Sequence, residues 1–223
     1  MHWVYYFGRV LIRILIFPFA GWEVKGRENV PKSGPMLIVC NHLSIADPPI
    51  IAASMRLKCV LMAKEELWHN GWSRFWVSHF GAFPVKRGGV DREAIHLAEA
   101  WLQKGVSLII FPEGGRSKTA QMQAALPGAA LIASRMGVPV LPVSISGTEK
   151  LKNMRLKPLM WCVFHRPKIT VNIGTAFTPP PAGAKLPREQ RKELMNDIMG
   201  KIAALLPPGY RGAYGGGGGN AQN

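Results

Sequence analysis

The stretch Leu37-Ile38-Val39-Cys40-Asn41-His42-Leu43-Ser44-Ile45-Ala46-Asp47-Pro48-Pro49 decides how this chain is read. A short apolar run ends at a histidine, and a carboxylate follows in front of two prolines. On an ideal helix the step from His42 to Asp47 turns about 140°, so the two would not share a face. On a strand their odd spacing puts them on opposite faces. They meet only if the chain turns between them. Pro48 favours that turn, because the residue before a proline is pushed out of the helical region. Asp47 then suits the N-cap of a helix whose first turn holds Pro48 and Pro49. The expected product is a loop at a strand end that presents an imidazole with a carboxylate behind it. That is the base and its orienting acid, without a protein nucleophile.

Working outward, apolar runs alternate with helical patterns. Met36 to Cys40, Lys58 to Ala63, Ser107 to Phe111, Val138 to Ile145, Met160 to Phe164 and Lys168 to Ile173 read as strands. Phe83 to Val85 is short and extended, and Trp22 to Val30 reads as an edge strand or turn. Helices are expected over Pro49–Met55, Leu67–Phe80, Asp91–Gln103, Ala120–Met136 and Pro187–Leu206, with a kink risk at Pro127-Gly128. Several strands lack period-two polarity. The fold class is therefore α/β: a mixed, mostly parallel central sheet covered by helices on both faces. Three regions are expected. Residues 1–21 form an N-terminal anchoring helix, 22–206 the α/β domain, and 207–223 a disordered tail that contains five consecutive glycines.

The chain has 223 residues and a formal charge of +15, from 28 Lys and Arg against 13 Asp and Glu. Such a balance calls for a polyanionic partner: an anionic membrane, phosphorylated substrates or nucleic acid. Nucleic acid has only the charge in its favour, since no zinc-finger spacing, RNP-type motif or basic helix with interleaved aromatics is present. Cys40, Cys59 and Cys162 have no ligand spacing and are odd in number. They read as buried thiols in a reducing compartment, and no metal site is expected.

The segment 3–20 is strongly apolar and aromatic. Arg9 and Arg13 interrupt it and, with His2, fall within about 40° on a helical wheel. One narrow basic stripe favours an in-plane interfacial anchor over a membrane span, and it disfavours a signal peptide. Membrane association at the cytoplasmic face, peripheral or monotopic, is the expectation.

Two more polar clusters follow apolar runs. Gly81-Ala82-Phe83-Pro84-Val85-Lys86-Arg87-Gly88-Gly89 sets two cations before two glycines, which suits close approach to an anion. Phe111-Pro112-Glu113-Gly114-Gly115-Arg116-Ser117 sets an acid, two flexible residues and an arginine at another strand end. Arg116 can grip a phosphate with its two-pronged guanidinium. Glu113 can accept a substrate hydroxyl or hold Arg116. Singly, each cluster is also what a solvated turn looks like; their order and repeated strand-end setting give them weight.

At these residues the sequence resembles the glycerolipid acyltransferase family of the 1-acylglycerol-3-phosphate acyltransferase type. Its Asn-His-x-x-x-x-Asp block matches Asn41, His42 and Asp47. Its Gly-x-Phe-x-x-x-Arg block matches Gly81, Phe83 and Arg87. Its Phe-Pro-Glu-Gly-x-Arg-Ser block matches Phe111 to Gly114, Arg116 and Ser117, and its Val-Pro-Val-x-Pro-Val block matches Val138 to Val143. Gly115 stands where the family usually has threonine, and Pro127 where it often has lysine.

The resemblance implies acyl transfer from acyl-CoA or acyl carrier protein to a lysophospholipid, giving phosphatidic acid. It implies His42 and Asp47 as catalytic residues, and Lys86, Arg87, Glu113, Gly114, Gly115 and Arg116 as substrate-binding residues. No cofactor is implied beyond the acyl donor as co-substrate, and the partners are membrane lipids, not nucleic acid. The alternatives are another acceptor (glycerol 3-phosphate, a lyso-ornithine lipid or another lysolipid) or a non-catalytic basic protein that binds anionic membrane or nucleic acid.

Overall fold

The computed structural model describes residues 7–8, 10–11, 14, 20–79, 81–85, 91–154, 166–180 and 186–216. Seven strands form one sheet: β1 (Gly21–Lys25), β2 (Leu37–Cys40), β3 (Cys59–Lys64), β4 (Ala82–Val85), β5 (Ser107–Ile110), β6 (Val140–Ser146) and β7 (Lys168–Ile173). Their order is β1-β7-β6-β2-β5-β3-β4. Every neighbouring pair is parallel except β6 and β7. The helices are α1 (Asp47–Ser54), α2 (Gly71–His79), α3 (Arg92–Gln103), α4 (Gly128–Met136) and α5 (Arg188–Ala204).

The strands are apolar on both faces because both faces are covered. In β2, Leu37 and Val39 face a core completed by Ala98 and Leu102 of α3, Ala129 and Ile132 of α4, and Ile198 and Ile202 of α5. Ile38 and Cys40 face the opposite core, with Ile50 and Ile51 of α1 and Val143 and Ile169 of the sheet. The mixed, helix-covered α/β sheet is thus the one read from the sequence. Pro84 is tolerated because β4 is an edge strand. Cys40 and Cys59 are buried and free, and burial holds the Cys40 thiol well above its ordinary pKa.

The topology assembles one end of the sheet. β2 lies between β5 and β6. The chain leaves β2 over one face toward β3 and leaves β5 over the other face toward β6, so these connections lie on opposite faces at the ends of β2 and β5, where open α/β sheets bind ligands. The reversal of β7 brings β1 into the same end. Thr170 pairs with Ser146 and Lys168 with Gly21, so β1 starts at the level where β6 finishes.

Three sequence expectations need correction. Helix α4 begins after Pro127, not at Ala120. Instead of bonding to i−4 carbonyls, the N–H groups of Met122, Gln123, Ala125 and Leu126 go to Tyr210 O, Glu113 Oε2, Tyr214 Oη and Pro112 O. Residues 67–80 do not form one helix. A 3-10 turn (Glu65–Trp68) stops before α2, with a break at His69 and Asn70. The tail is not disordered throughout. Pro208–Tyr210 and Gly212–Tyr214 are 3-10 turns, and the rings of Tyr210 and Tyr214 pack on the core.

Lys86, Arg87, the expected strand Met160–Phe164, Cys162 and most of the N-terminal segment lie outside the described residues. Within that segment Phe7, Val10 and Ile14 are helical and exposed. Among the described residues, no helix is long and apolar enough to cross a membrane.

Candidate active site

The site begins where β2 stops. Asn41, the next residue, is fully buried and continues the sheet with its side chain. Its Nδ2 donates to Ile145 O and its Oδ1 accepts from Ile145 N, both at 2.9 Å. The loop that follows is wound around one carboxylate. Asp47 Oδ2 accepts from Leu43 N and Ser44 N at 2.6 Å each, and lies 2.8 Å from His42 Nδ1. Asp47 is fully buried, while the His42 side chain keeps 15% exposure.

Asp47 is not an N-cap as its position suggested. It is the first residue of α1, behind Ala46, and no side chain caps the helix. Pro48 and Pro49 have no N–H to offer, and Ile50 N donates to Ala46 O. The carboxylate is therefore left to gather the loop in front of it.

An ionised carboxylate only accepts, so the nitrogen facing Asp47 carries the ring proton. Nε2 then presents its lone pair, and no described residue bonds to it. The His42 ring stacks on Phe111, with centroids 4.3 Å apart and planes 28° apart. The carboxylate and the phenyl ring together fix the orientation of the imidazole.

The Phe111–Ser117 run acts on His42 from the next strand. Glu113 Oε1 accepts from His42 N at 3.0 Å, and Ser117 N donates to His42 O at 2.8 Å. Both main-chain groups of His42 are thus held by this loop. Glu113 Oε2 takes a second amide, Gln123 N, at 3.0 Å. The expected link between Glu113 and Arg116 is absent among the described residues; the acid binds backbone, and Arg116 is exposed. Burial raises the Glu113 pKa to about 7, against the lowering pull of the two amides. Gly114 has φ +66°, and a β-carbon there would stand 2.8 Å from Leu126 Cδ1. Gly115 has open space around it and no such φ.

Thr148 is a site residue that the sequence reading missed. Its hydroxyl donates to Asp47 Oδ1 at 2.6 Å, and both residues are fully buried. Gly147 puts it there. It has φ +88°, and a β-carbon at this position would overlap Lys168 O at 2.1 Å. The pairing of β6 with β2 supplies the rest of the placement. A signal was present in the polar Ser-Gly-Thr run that closes an apolar strand.

The structure therefore joins His42, Asp47, Glu113 and Thr148 into one hydrogen-bonded unit. It places Gly114, Gly115 and Arg116 on the loop beside that unit. An α/β sheet with an imidazole and its carboxylate at the switch point, and no nucleophilic side chain of the described residues bonded to that imidazole, suits a reaction in which the substrate brings the attacking group.

The sequence model of the acyltransferase family matches residues 21–146, and the chain belongs to that family. A chloroplastic 1-acyl-sn-glycerol-3-phosphate acyltransferase of Brassica napus is 31% identical over 153 residues, covering 66% of this chain. The chain spans 43% of that relative's length and 42% of a similar Arabidopsis thaliana protein's. A 1-acyl-sn-glycerol-3-phosphate acyltransferase of Bacillus subtilis is 26% identical, with 74% of this chain and 82% of the relative covered. The crystal structure of the 1-acyl-sn-glycerophosphate acyltransferase PlsC from Thermotoga maritima superimposes with a TM-score of 0.64 at 27% identity. It covers 87% of this chain and 75% of that one.

Proposed function

We propose that this protein transfers an acyl chain from an acyl thioester to the free hydroxyl of 1-acylglycerol 3-phosphate, giving phosphatidic acid. The observation that carries the reading is the His42 Nδ1–Asp47 Oδ2 pair at 2.8 Å with Nε2 left open. The names of the relatives support the acceptor. His42 Nε2 takes the proton of the acceptor hydroxyl. The oxygen attacks the thioester carbonyl while Asp47 stabilises the imidazolium. The C–S bond breaks, and the thiolate takes the proton back from Nε2. One ester and one thiol result, and the enzyme is unchanged.

In this reading Lys86, Arg87 and Arg116 bind the acceptor phosphate. Gly114 and Gly115 let it approach the loop backbone, and Glu113 keeps His42 in place. The exposed Phe7, Val10 and Ile14 and the charge of +15 support work at an anionic membrane surface.

The test is a matrix of donors (acyl-CoA, acyl carrier protein) and acceptors (lysophosphatidate, glycerol 3-phosphate, lyso-ornithine lipid) in mixed micelles. Thiol release should require lysophosphatidate, and His42→Ala should slow it by about 10²–10⁴-fold. Release with another acceptor alone would reassign the substrate. Near-normal release by His42→Ala would defeat the mechanism.

A further inference from the structure

The segment Pro207–Gly216 has no part in the mechanism, yet it touches both loops that carry it. Tyr210 is the junction. Its carbonyl accepts from Met122 N at 2.9 Å, and its hydroxyl donates to Glu149 Oε1 at 2.7 Å. Met122 is also gripped from its other side, because Ala213 N donates to Met122 O at 3.3 Å. Tyr214 Oη accepts from Ala125 N at 3.2 Å.

Three of these four contacts lie next to a group that holds the His42–Asp47 pair. Gln123, after Met122, gives its N–H to Glu113, which accepts from His42 N. Thr148, before Glu149, donates to Asp47, which faces His42 Nδ1. A closed circuit follows: His42, Glu113, Gln123 and Met122, Tyr210, Glu149 and Thr148, Asp47, and back to His42. Residues 118–126 have no helix of their own, so their backbone donors depend on partners elsewhere. The tail supplies those partners for Met122 and Ala125.

We propose that Pro207–Gly216 is a positioning brace for the reaction site, and that Tyr210 is the residue that ties the His42 arm to the Asp47 arm. The kinetic consequence rests on the acyl-transfer reading; the mechanical one does not. The Tyr210 hydroxyl is suited to the task, since burial and its Glu149 partner push its pKa up to about 12 and keep it a donor.

The test uses the full chain, Tyr210→Phe, Tyr214→Phe and a chain ending at Leu206. Amide hydrogen exchange is followed beside acyl-transfer kinetics. In Tyr210→Phe, which removes the bond to Glu149 and keeps the carbonyl bond to Met122, exchange should rise in peptides covering 147–150 and also 41–47. Its kcat should fall about fivefold, equivalent to about 1 kcal/mol, with KM for donor and acceptor within about twofold. The shortened chain should show the same pattern with a larger loss, and Tyr214→Phe should loosen 118–126 most.

Exchange that rises only within 207–216, with kcat unchanged, would overturn the brace. So would a lower melting temperature with unchanged kcat and unchanged exchange at 41–47. If the shortened chain does not fold, the two tyrosine variants decide. If the full chain transfers no acyl group, the functional reading fails, and the exchange result still decides the brace.

Discussion

Thr148 donates its hydroxyl to Asp47 Oδ1 over 2.6 Å, across 101 residues of sequence. The carboxylate thereby has both oxygens occupied in a fully buried site. Removing this donor leaves a buried charge short of one bond. Thr148→Val should destabilise the fold by about 1.5–3 kcal/mol, as for other bonds to charged groups. It should also lower kcat by about tenfold, the effect of about 1.4 kcal/mol at the transition state. Thr148→Ser should restore most of both. Urea unfolding and steady-state kinetics on the two variants check this; equal losses for Val and Ser would remove the hydroxyl from the argument.

Glu113 makes stability pH-dependent. Its folded pKa is about 7, against an ordinary value of 4.5. The folded state therefore holds the proton longer than the unfolded chain does. Its contribution to stability is highest below about 4.5 and declines as pH rises to about 7, where both states are ionised. Glu113→Gln should flatten that slope. It should also strand one amide, because the carboxamide cannot accept from both His42 N and Gln123 N with its single oxygen. Denaturant midpoints from pH 4.5 to 8 test the sign. A wild-type curve that climbs more steeply than the variant's over this window would contradict it.

The two glycines of the Phe111–Ser117 run should differ. Gly114→Ala puts a side chain at φ +66° and against Leu126, so it should cost about 1–2 kcal/mol or more. Gly115→Ala meets open space and an ordinary backbone, and should stay within about 0.5 kcal/mol. Thermal melts of the pair provide the comparison; a Gly115→Ala variant that melts as low as Gly114→Ala would undo the distinction.

Arg116 is exposed, and no described residue pairs with it. Arg116→Ala should leave stability within about 0.5 kcal/mol. Its effect should appear in the KM for a phosphorylated acceptor, raised about tenfold with kcat nearly unchanged, as for lost uniform binding. Arg116→Lys should recover only part, since an ammonium cannot bind two phosphate oxygens with a planar fork. An unchanged KM would take Arg116 out of phosphate binding.

What the sequence disclosed followed from local rules. The turn at His42–Asp47 was legible because Pro48 and Pro49 restrict the backbone beside it. The sheet was legible because fully covered strands are uninterrupted apolar runs. Thr148 showed only as part of a polar Ser-Gly-Thr run, and its partner was not legible, since only the pairing of β6 with β2 carries it to Asp47. Glu113 was visible as a strand-end acid, but its true partners are amides, which any residue can supply. The stretch from Ala120 to Leu126 reads as helix by composition, and the tail reads as disorder from its Pro and Gly content. Each reading failed for the same physical reason. The two segments satisfy each other's backbone, and neither sequence alone shows that.

The antiparallel step between β6 and β7 has a mechanical consequence. It turns β1 round, so Gly21 stands at the rim that carries His42, Asp47 and Thr148. The polypeptide enters its own sheet on the side of the candidate site. Whatever fastens the stretch ahead of Ala20 therefore holds the imidazole on a short tether, instead of suspending it across the width of the domain.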